Sequence, residues 1–338
     1  MNNENEIKVT PILDTLKFGT CPDEEYFKIK AVSNSRLKLI NPLEDGSPEK
    51  YNENISSEYN ASFNVGTPIH QMILQKQFYY LDHSVVKPSG KLNNVVDCII
   101  NNRNKNYSIY DSIRKACETV DYYKNKITDN RIHLIIKECL DFYINSKKIV
   151  SKKIPIFLDK NNRNSVIGCV VELETSKEAN NVLYPDDCRI FNEFYILIDF
   201  KITFPNKTEK IIPFKAKLDN FSINYNLKEI IVNDLKSTSK DVSEFANSYY
   251  KYHYFRQVGI YSYLASLVCK NVFNLQYEKL YSNMVVVSTI PNYNSLIFKV
   301  YNEDITNGIL EFKELISRVA FHEIYGYDKK FEDKIWKT

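Results

Sequence analysis

Pro213-Phe-Lys-Ala-Lys-Leu-Asp219 closes one extended run, and Glu229-Ile-Ile-Val-Asn-Asp-Leu-Lys236 closes the next. In a strand, successive side chains point to opposite faces, so Asp234 and Lys236 share a face while Leu235 turns toward the core. By the same alternation Lys215 and Lys217 lie on the face of Asp219. Two neighbouring strand ends then present carboxylates beside an ammonium. Carboxylate oxygens are the ligands that Mg²⁺ prefers, with water and a substrate phosphate completing its octahedron. An adjacent lysine can orient or deprotonate an attacking water.

Working outward, Phe191-Asn-Glu-Phe-Tyr-Ile-Leu-Ile-Asp-Phe-Lys-Ile-Thr-Phe204, the turn Pro205–Lys210 and Ile211–Phe221 predict a hairpin that leads into the 229–236 strand. A long helix is expected from about Asp241 to Lys270, then strands at Met284–Ile290 and Leu296–Asn302, and a last helix from about Asp304 to Ile324. On the long helix, Gln257 and Tyr261 sit one turn apart and share a face. Upstream, Gly66-Thr-Pro-Ile-His70 predicts a helix start, with Pro68 in the first turn. Residues 93–150 repeat apolar positions (Val95, Ile99, Ile113, Leu134, Ile135, Leu140) at helical spacing. The expected organisation is an irregular N-terminal segment over 1–30 with a candidate strand in EIKVTPILDTL (6–16), a single domain over 31–325 with a helical insertion at about 90–150, and a tail over 326–338.

Composition bounds the alternatives. A chain of 338 residues with 43% hydrophobic content is long enough for a substantial core. No stretch approaches the roughly 18 apolar residues of a membrane helix. The start, MNNENEIKVT, lacks the apolar centre of a signal peptide, so the expected location is cytoplasmic, in the bacterial host if the chain is phage-encoded. The seven cysteines are scattered and form no CxxC pair, which argues against a disulfide framework and a zinc ribbon. The net charge of +3 says little about partners, because a nucleic acid responds to local charge.

Singly, these residues have bland readings. Asp219 is also a turn residue after a strand, Asp234 with Lys236 a solvated ion pair, and His70 a hydrogen-bonded boundary histidine. Glu193 reads equally as an additional acid near a metal or as an exposed strand start. Lys217 offsets carboxylate repulsion or touches phosphate, and Gln257 with Tyr261 suits contacts that position a duplex. Jointly, both acids end β-rich runs with a helix immediately after, and the set reads as a metal-dependent nuclease.

The ordered motifs GTPIH (66–70), KAKLD (215–219), VNDLKST (232–238) and YKYHYFRQVGIYSYL (250–264) resemble those of the PD-(D/E)XK nuclease superfamily. Within it they are most similar to the RecB-like branch and to phage or prophage exonucleases of the RecE (exodeoxyribonuclease VIII) type. The resemblance spans about residues 30–325 and is weakest between 85 and 190. It implies an α/β, restriction-endonuclease-like core, a central mixed sheet flanked by helices with a helical elaboration. It further implies His70, Asp219, Asp234 and the Leu235 carbonyl as ligands of Mg²⁺ or Mn²⁺, Lys236 as the catalytic lysine, and Gln257 and Tyr261 as DNA contacts. Leu218 stands where a proline usually precedes the first aspartate, and no cysteine spacing matches the iron–sulfur relatives. The implied activity is 5′ to 3′ exonucleolysis of linear double-stranded DNA in recombination or repair, by a ring-shaped homo-oligomer that serves a single-strand annealing protein. A structure-specific or restriction-type endonuclease on the same core, and a catalytically silent DNA-binding protein, are the competing readings.

Overall fold

The alternation read from residues 190–236 is realised as long paired strands. A computed structural model describes residues 6–53, 63–82, 84–102, 107–123, 127–146, 153–334 and 336. Among them are eight strands, β1 (Lys8–Thr20), β2 (Tyr79–Leu81), β3 (Ile154–Ile156), β4 (Arg189–Thr203), β5 (Glu209–Asn224), β6 (Glu229–Thr238), β7 (Lys279–Ser288) and β8 (Ser295–Val300). Six of them form one sheet in the order β1-β4-β5-β6-β7-β8. Only the β6–β7 pairing in that sheet is parallel. A parallel pair needs a crossover connection, and the helix Tyr254–Asn271 lies within it. The architecture is therefore α/β with a central mixed sheet flanked by helices, in agreement with the sheet expected of a PD-(D/E)XK-like core.

Local chemistry explains the strands. Ile196, Ile198, Phe200 and Ile202 of β4 are buried at every second position, the pattern of a strand with one face in the core. The β4–β5 hairpin closes where Asn206 Oδ1 accepts the Thr208 N–H at 3.0 Å and Lys207 adopts a left-handed φ of 67°. Phe200, Phe214 and Phe312 then meet edge to face between sheet and helix.

The described residues form two compact units, 1–60 with 171–338, and 61–170. The second unit holds the helices Phe63–Leu74, Gly90–Asn102, Ile109–Thr119 and Asp129–Asn145 with the short parallel pair β2–β3. It is wider than the insertion expected at 90–150, because the His70 helix belongs to it. That helix starts at Phe63, a turn earlier than Gly66 suggested. Ile132, Ile135, Cys139 and Phe142 form the buried stripe of Asp129–Asn145, whereas Leu134 and Leu140 face outward. The apolar residues on both sides of that helix blurred the sequence pattern.

Of the N-terminal segment expected to be irregular, the described residues hold a strand and a helix. β1 lies along β4 from Lys8↔Thr203 to Thr20↔Phe194, and the helix Asp23–Lys28 follows. The register slips between Ile12 and Lys17, where Thr15 Oγ1 donates to the Ile12 carbonyl and accepts the Asp199 N–H, both at 2.8 Å. A slip of this kind destroys the two-residue period that would have betrayed the strand. In the tail, Gly326 ends the last helix at φ 100°, and Trp336 is buried against Phe204, Phe321 and Phe331.

The helices Tyr254–Asn271 and Asn302–Tyr325 cross backbone to backbone at Gly259 and Gly308. A methyl on Gly308 would stand 2.2 Å from the Phe255 carbonyl oxygen, and one on Gly259 would stand 2.9 Å from the Gly308 backbone. Neither contact can be relieved by turning a side chain. Gly308→Ala is expected to lower stability by about 3 kcal/mol, the upper part of the overpacking range, seen as a fall in the urea midpoint. An unchanged midpoint would show that the helices separate without cost.

Candidate functional site

The β5–β6 ladder runs from Asn224↔Glu229 to Asn220↔Asn233 and stops. In the same register the next rung sets Asp219 opposite Asp234, and on the other side of β5 Glu193 is the residue opposite Asp219. There the β4–β5 pairing passes from Asn192↔Asn220 to Phe194↔Leu218, and Glu193 takes a left-handed φ of 47°. Three carboxylates in one rung repel, since like charges directly opposite destabilise a sheet. The strands part, and Asp219 Oδ2 rather than a backbone carbonyl accepts the Leu235 N–H at 2.8 Å.

The parted strand ends enclose the acids that the sequence singled out. Asp234 is fully buried. Lys236 Nζ lies 2.6 Å from its Oδ2, and Gln257 Nε2 donates to its Oδ1 at 2.9 Å. The same Gln257 nitrogen donates to the Tyr261 hydroxyl at 2.9 Å. The i, i+4 pair is therefore turned onto a carboxylate of the site, with Tyr261 itself buried. Carbonyl groups of Tyr26 and Ile29 hold Lys215 Nζ at 3.1 and 2.7 Å, and Lys217 Nζ reaches Asp23 at 2.5 Å and Glu193 at 3.0 Å. Both ammonium groups are thus engaged within the protein instead of facing a phosphate, and Lys217 takes the charge-offsetting role. His70 sits half-buried on the helix Phe63–Leu74 of the second unit.

The electrostatics favour a bound cation. Burial alone would depress the Lys236 ammonium, but the Asp234 and Asp219 carboxylates outweigh it and hold the pKa well above the ordinary lysine value. Its neighbours are anions, and they keep the ammonium charged. Lys217 follows the same logic, burial opposed and exceeded by Glu193 and Asp23. For Tyr261, burial and then the Asp219 and Asp234 charges push the phenol far up, so it is a neutral hydroxyl. Asp23, Glu193, Asp219 and Asp234 are four carboxylates, Lys217 and Lys236 two ammonium groups, and the difference is two negative charges when all are ionised. Oxygens of Glu193 and Asp219 lie within 4.8 Å of each other. Carboxylate oxygens so placed could hold a hard divalent cation.

A row of amides that sequence reasoning missed lies one rung away. Asn220 donates to Asn192 Oδ1 at 2.7 Å, Asn233 to Asn220 Oδ1 at 2.7 Å and Asn283 to Asn233 Oδ1 at 2.9 Å, so one hydrogen-bonded chain crosses β4, β5, β6 and β7. The amides of Asn220 and Asn233 also donate to the carbonyls of Leu183 and Val182, at the end of the helix Lys177–Leu183. The signal was present as the mirrored dipeptides Asp219-Asn220 and Asn233-Asp234. Antiparallel pairing sets such dipeptides acid against acid and amide against amide.

No protein-family model matches this chain, and no curated protein matches it. Among solved structures, the chain is similar to a protein of Eubacterium rectale provisionally described as an exonuclease, at 13% identity and a TM-score of 0.35, over 62% of this chain and 74% of the other. At that level of likeness the functional reading rests on the residues themselves.

A divalent ion that binds only the folded site stabilises it by about 2.7 kcal/mol at a hundredfold excess over its Kd. Mn²⁺ is accordingly expected to raise the thermal midpoint of the native chain, with reversal by EDTA. Asp219→Asn is expected to lose most of that shift. An equal shift in Asp219→Asn would place the ion elsewhere.

Proposed function

We propose that this chain is a Mg²⁺- or Mn²⁺-dependent deoxyribonuclease that hydrolyses phosphodiester bonds of linear double-stranded DNA from its ends. The observation that carries this reading is the meeting of Asp219, Asp234 and Lys236 where β5 and β6 part. Asp219 and Asp234 would hold the ion, with Glu193 and the Leu235 carbonyl as further ligands. When bound, the ion supplies Lewis acidity toward the phosphate and lowers the pKa of a coordinated water.

The chain's own groups do the rest. Lys236, kept charged, donates from its ammonium to the attacking water or to the oxygens on which negative charge develops, an electrostatic role that needs no proton uptake. Gln257 holds one oxygen of Asp234 and thereby fixes the direction of the other. Tyr261, neutral and clamped to Gln257, fixes that amide in turn and stands with it beside the DNA backbone near the cut. The amide row beneath keeps the two acid-bearing strands at a constant separation, so the ligands are positioned before metal or DNA arrives.

The finer reading follows from the motif resemblance: 5′ to 3′ polarity, a ring-shaped homo-oligomer and an annealing partner in phage-type recombination or repair. Asp234→Asn and Lys236→Ala are each expected to slow Mg²⁺-dependent loss of end-labelled linear duplex on the order of 10³-fold while circular dichroism stays native. Covalently closed circular DNA should survive the same incubation. Cleavage of the circle would make the enzyme an endonuclease, and full activity in either variant would remove these residues from the reaction.

A further inference from the structure

Beyond the acids, Lys236 has a second neighbour. Its Nζ lies 5.4 Å from the ring centroid of Tyr254, and the Tyr254 ring is 5.9 Å from that of Tyr252. Lys251 Nζ in turn stands 5.5 Å over the Tyr252 ring. Two aromatic rings between two ammonium groups thus lead outward from the proposed catalytic lysine. Tyr254 is held from behind by Phe245, nearly parallel at 14° and 5.9 Å, whereas Tyr252 is 47% exposed.

The backbone fixes this arrangement. Tyr252 caps the helix Phe245–Lys251, and His253, at a left-handed φ of 50°, starts the next helix, with its Nδ1 3.0 Å from Glu311. The sharp reversal turns Tyr252 outward and Tyr254 inward. Charge sets the direction of the path. The other exposed tyrosine of this segment, Tyr250, lies beside the carboxylates of Asp304 and Glu303, which would repel a polyanion. The Tyr252 side carries Lys251 and Lys236.

We propose that Tyr252, backed by Tyr254, is a stacking platform for unpaired bases of single-stranded DNA leaving or entering the site. The proposal deepens the nuclease reading and rests on it for the direction of the strand. Aromatic faces stack on any base, and flanking cations track the phosphates, a combination that binds single strands without regard to sequence. A base-paired duplex hides those faces, so the platform selects a frayed or resected end.

The test is fluorescence anisotropy with the full chain in Ca²⁺, comparing a labelled oligo(dT) 12-mer with an abasic backbone of equal length and charge. The native chain should bind oligo(dT) about tenfold more tightly than the abasic strand. Tyr252→Ala should lose that preference with its thermal midpoint unchanged and its abasic affinity intact, and Tyr252→Phe should keep it. Equal affinities in the native chain, no binding of either strand, or an undiminished preference in Tyr252→Ala would each overturn the platform. A parallel Mg²⁺ cleavage assay separates the two ideas: base-dependent binding without cleavage retains the platform and removes the nuclease, and cleavage without base preference does the reverse.

Discussion

The structure depends on one rung of hydrogen bonds that the sheet does not make. Between β5 and β6 the ladder ends at Asn220↔Asn233, and the rung that follows belongs to Asp219 and Asp234. Closing it would press two carboxylates together, with the third, Glu193, directly across β5. Opening it turns the Leu235 N–H to the Asp219 side chain, whose Oδ2 accepts it at 2.8 Å. One carboxylate oxygen is thereby committed to the backbone, which fixes the side chain's rotamer. A buried N–H left without an acceptor costs roughly 1–3 kcal/mol, so the exchange of a carbonyl for a carboxylate is what makes the fork tolerable. The β6–β7 pairing continues through Thr238 and holds the other edge of β6 straight.

Holding strands at a fork requires something rigid on either side. On one side it is the row of asparagines, which ties four strands together one residue from each acid. On the other it is the buried Arg256, 2% exposed and adjacent to Gln257. Its guanidinium binds Glu44, Glu311 at 2.8 Å and Asn34 at 2.8 Å, and Asn41 bridges the same two glutamates at 2.9 and 2.8 Å. Burying a guanidinium is costly unless its charge and its donors are all matched. Here Glu44 and Glu311 match the charge, and Asn34 with the same two glutamates takes the Nε and Nη1 donors, so the start of the Gln257 helix is pinned to the N-terminal segment and to the last helix. Glu44, His253 and Glu311 lie close enough together to hold a cation. Arg256 supplies it.

How much of this could be read beforehand follows from the range of each interaction. Strand alternation is local, so Asp234, Leu235 and Lys236 were assigned to their faces from three consecutive residues, and the helical period placed Gln257 and Tyr261 on one face in the same way. β1 was legible only in part, as a candidate strand over residues 6–16, because a bulge at Thr15 shifts its register midway and a shifted strand has no single period. The stripe on Asp129–Asn145 was misplaced because apolar residues occur on both its faces. Asp23, Tyr254 and the asparagine row lay beyond any local rule: each acquires its role from a partner tens of residues or more away in the chain. The ionisation of Lys236 belongs to the same class. Its pKa follows its anionic neighbours in space, Asp234 and Asp219, which raise it.

That ionisation also decides what kind of centre the fold has built. Asp234 is fully buried, and a buried carboxylate without partners would shift toward its neutral form, unable to bind a cation well. Lys236 pairs with one of its oxygens at 2.6 Å and Gln257 donates to the other at 2.9 Å, so both are held from within the chain. When a divalent ion approaches, it meets an excess of two negative charges that the lysines have reduced but not cancelled. Had the chain supplied two further cations, the acids would be neutralised and inert; had it supplied none, the fork would not close around them. Partial compensation is the condition under which four carboxylates can be held together in a protein and still leave a net negative charge.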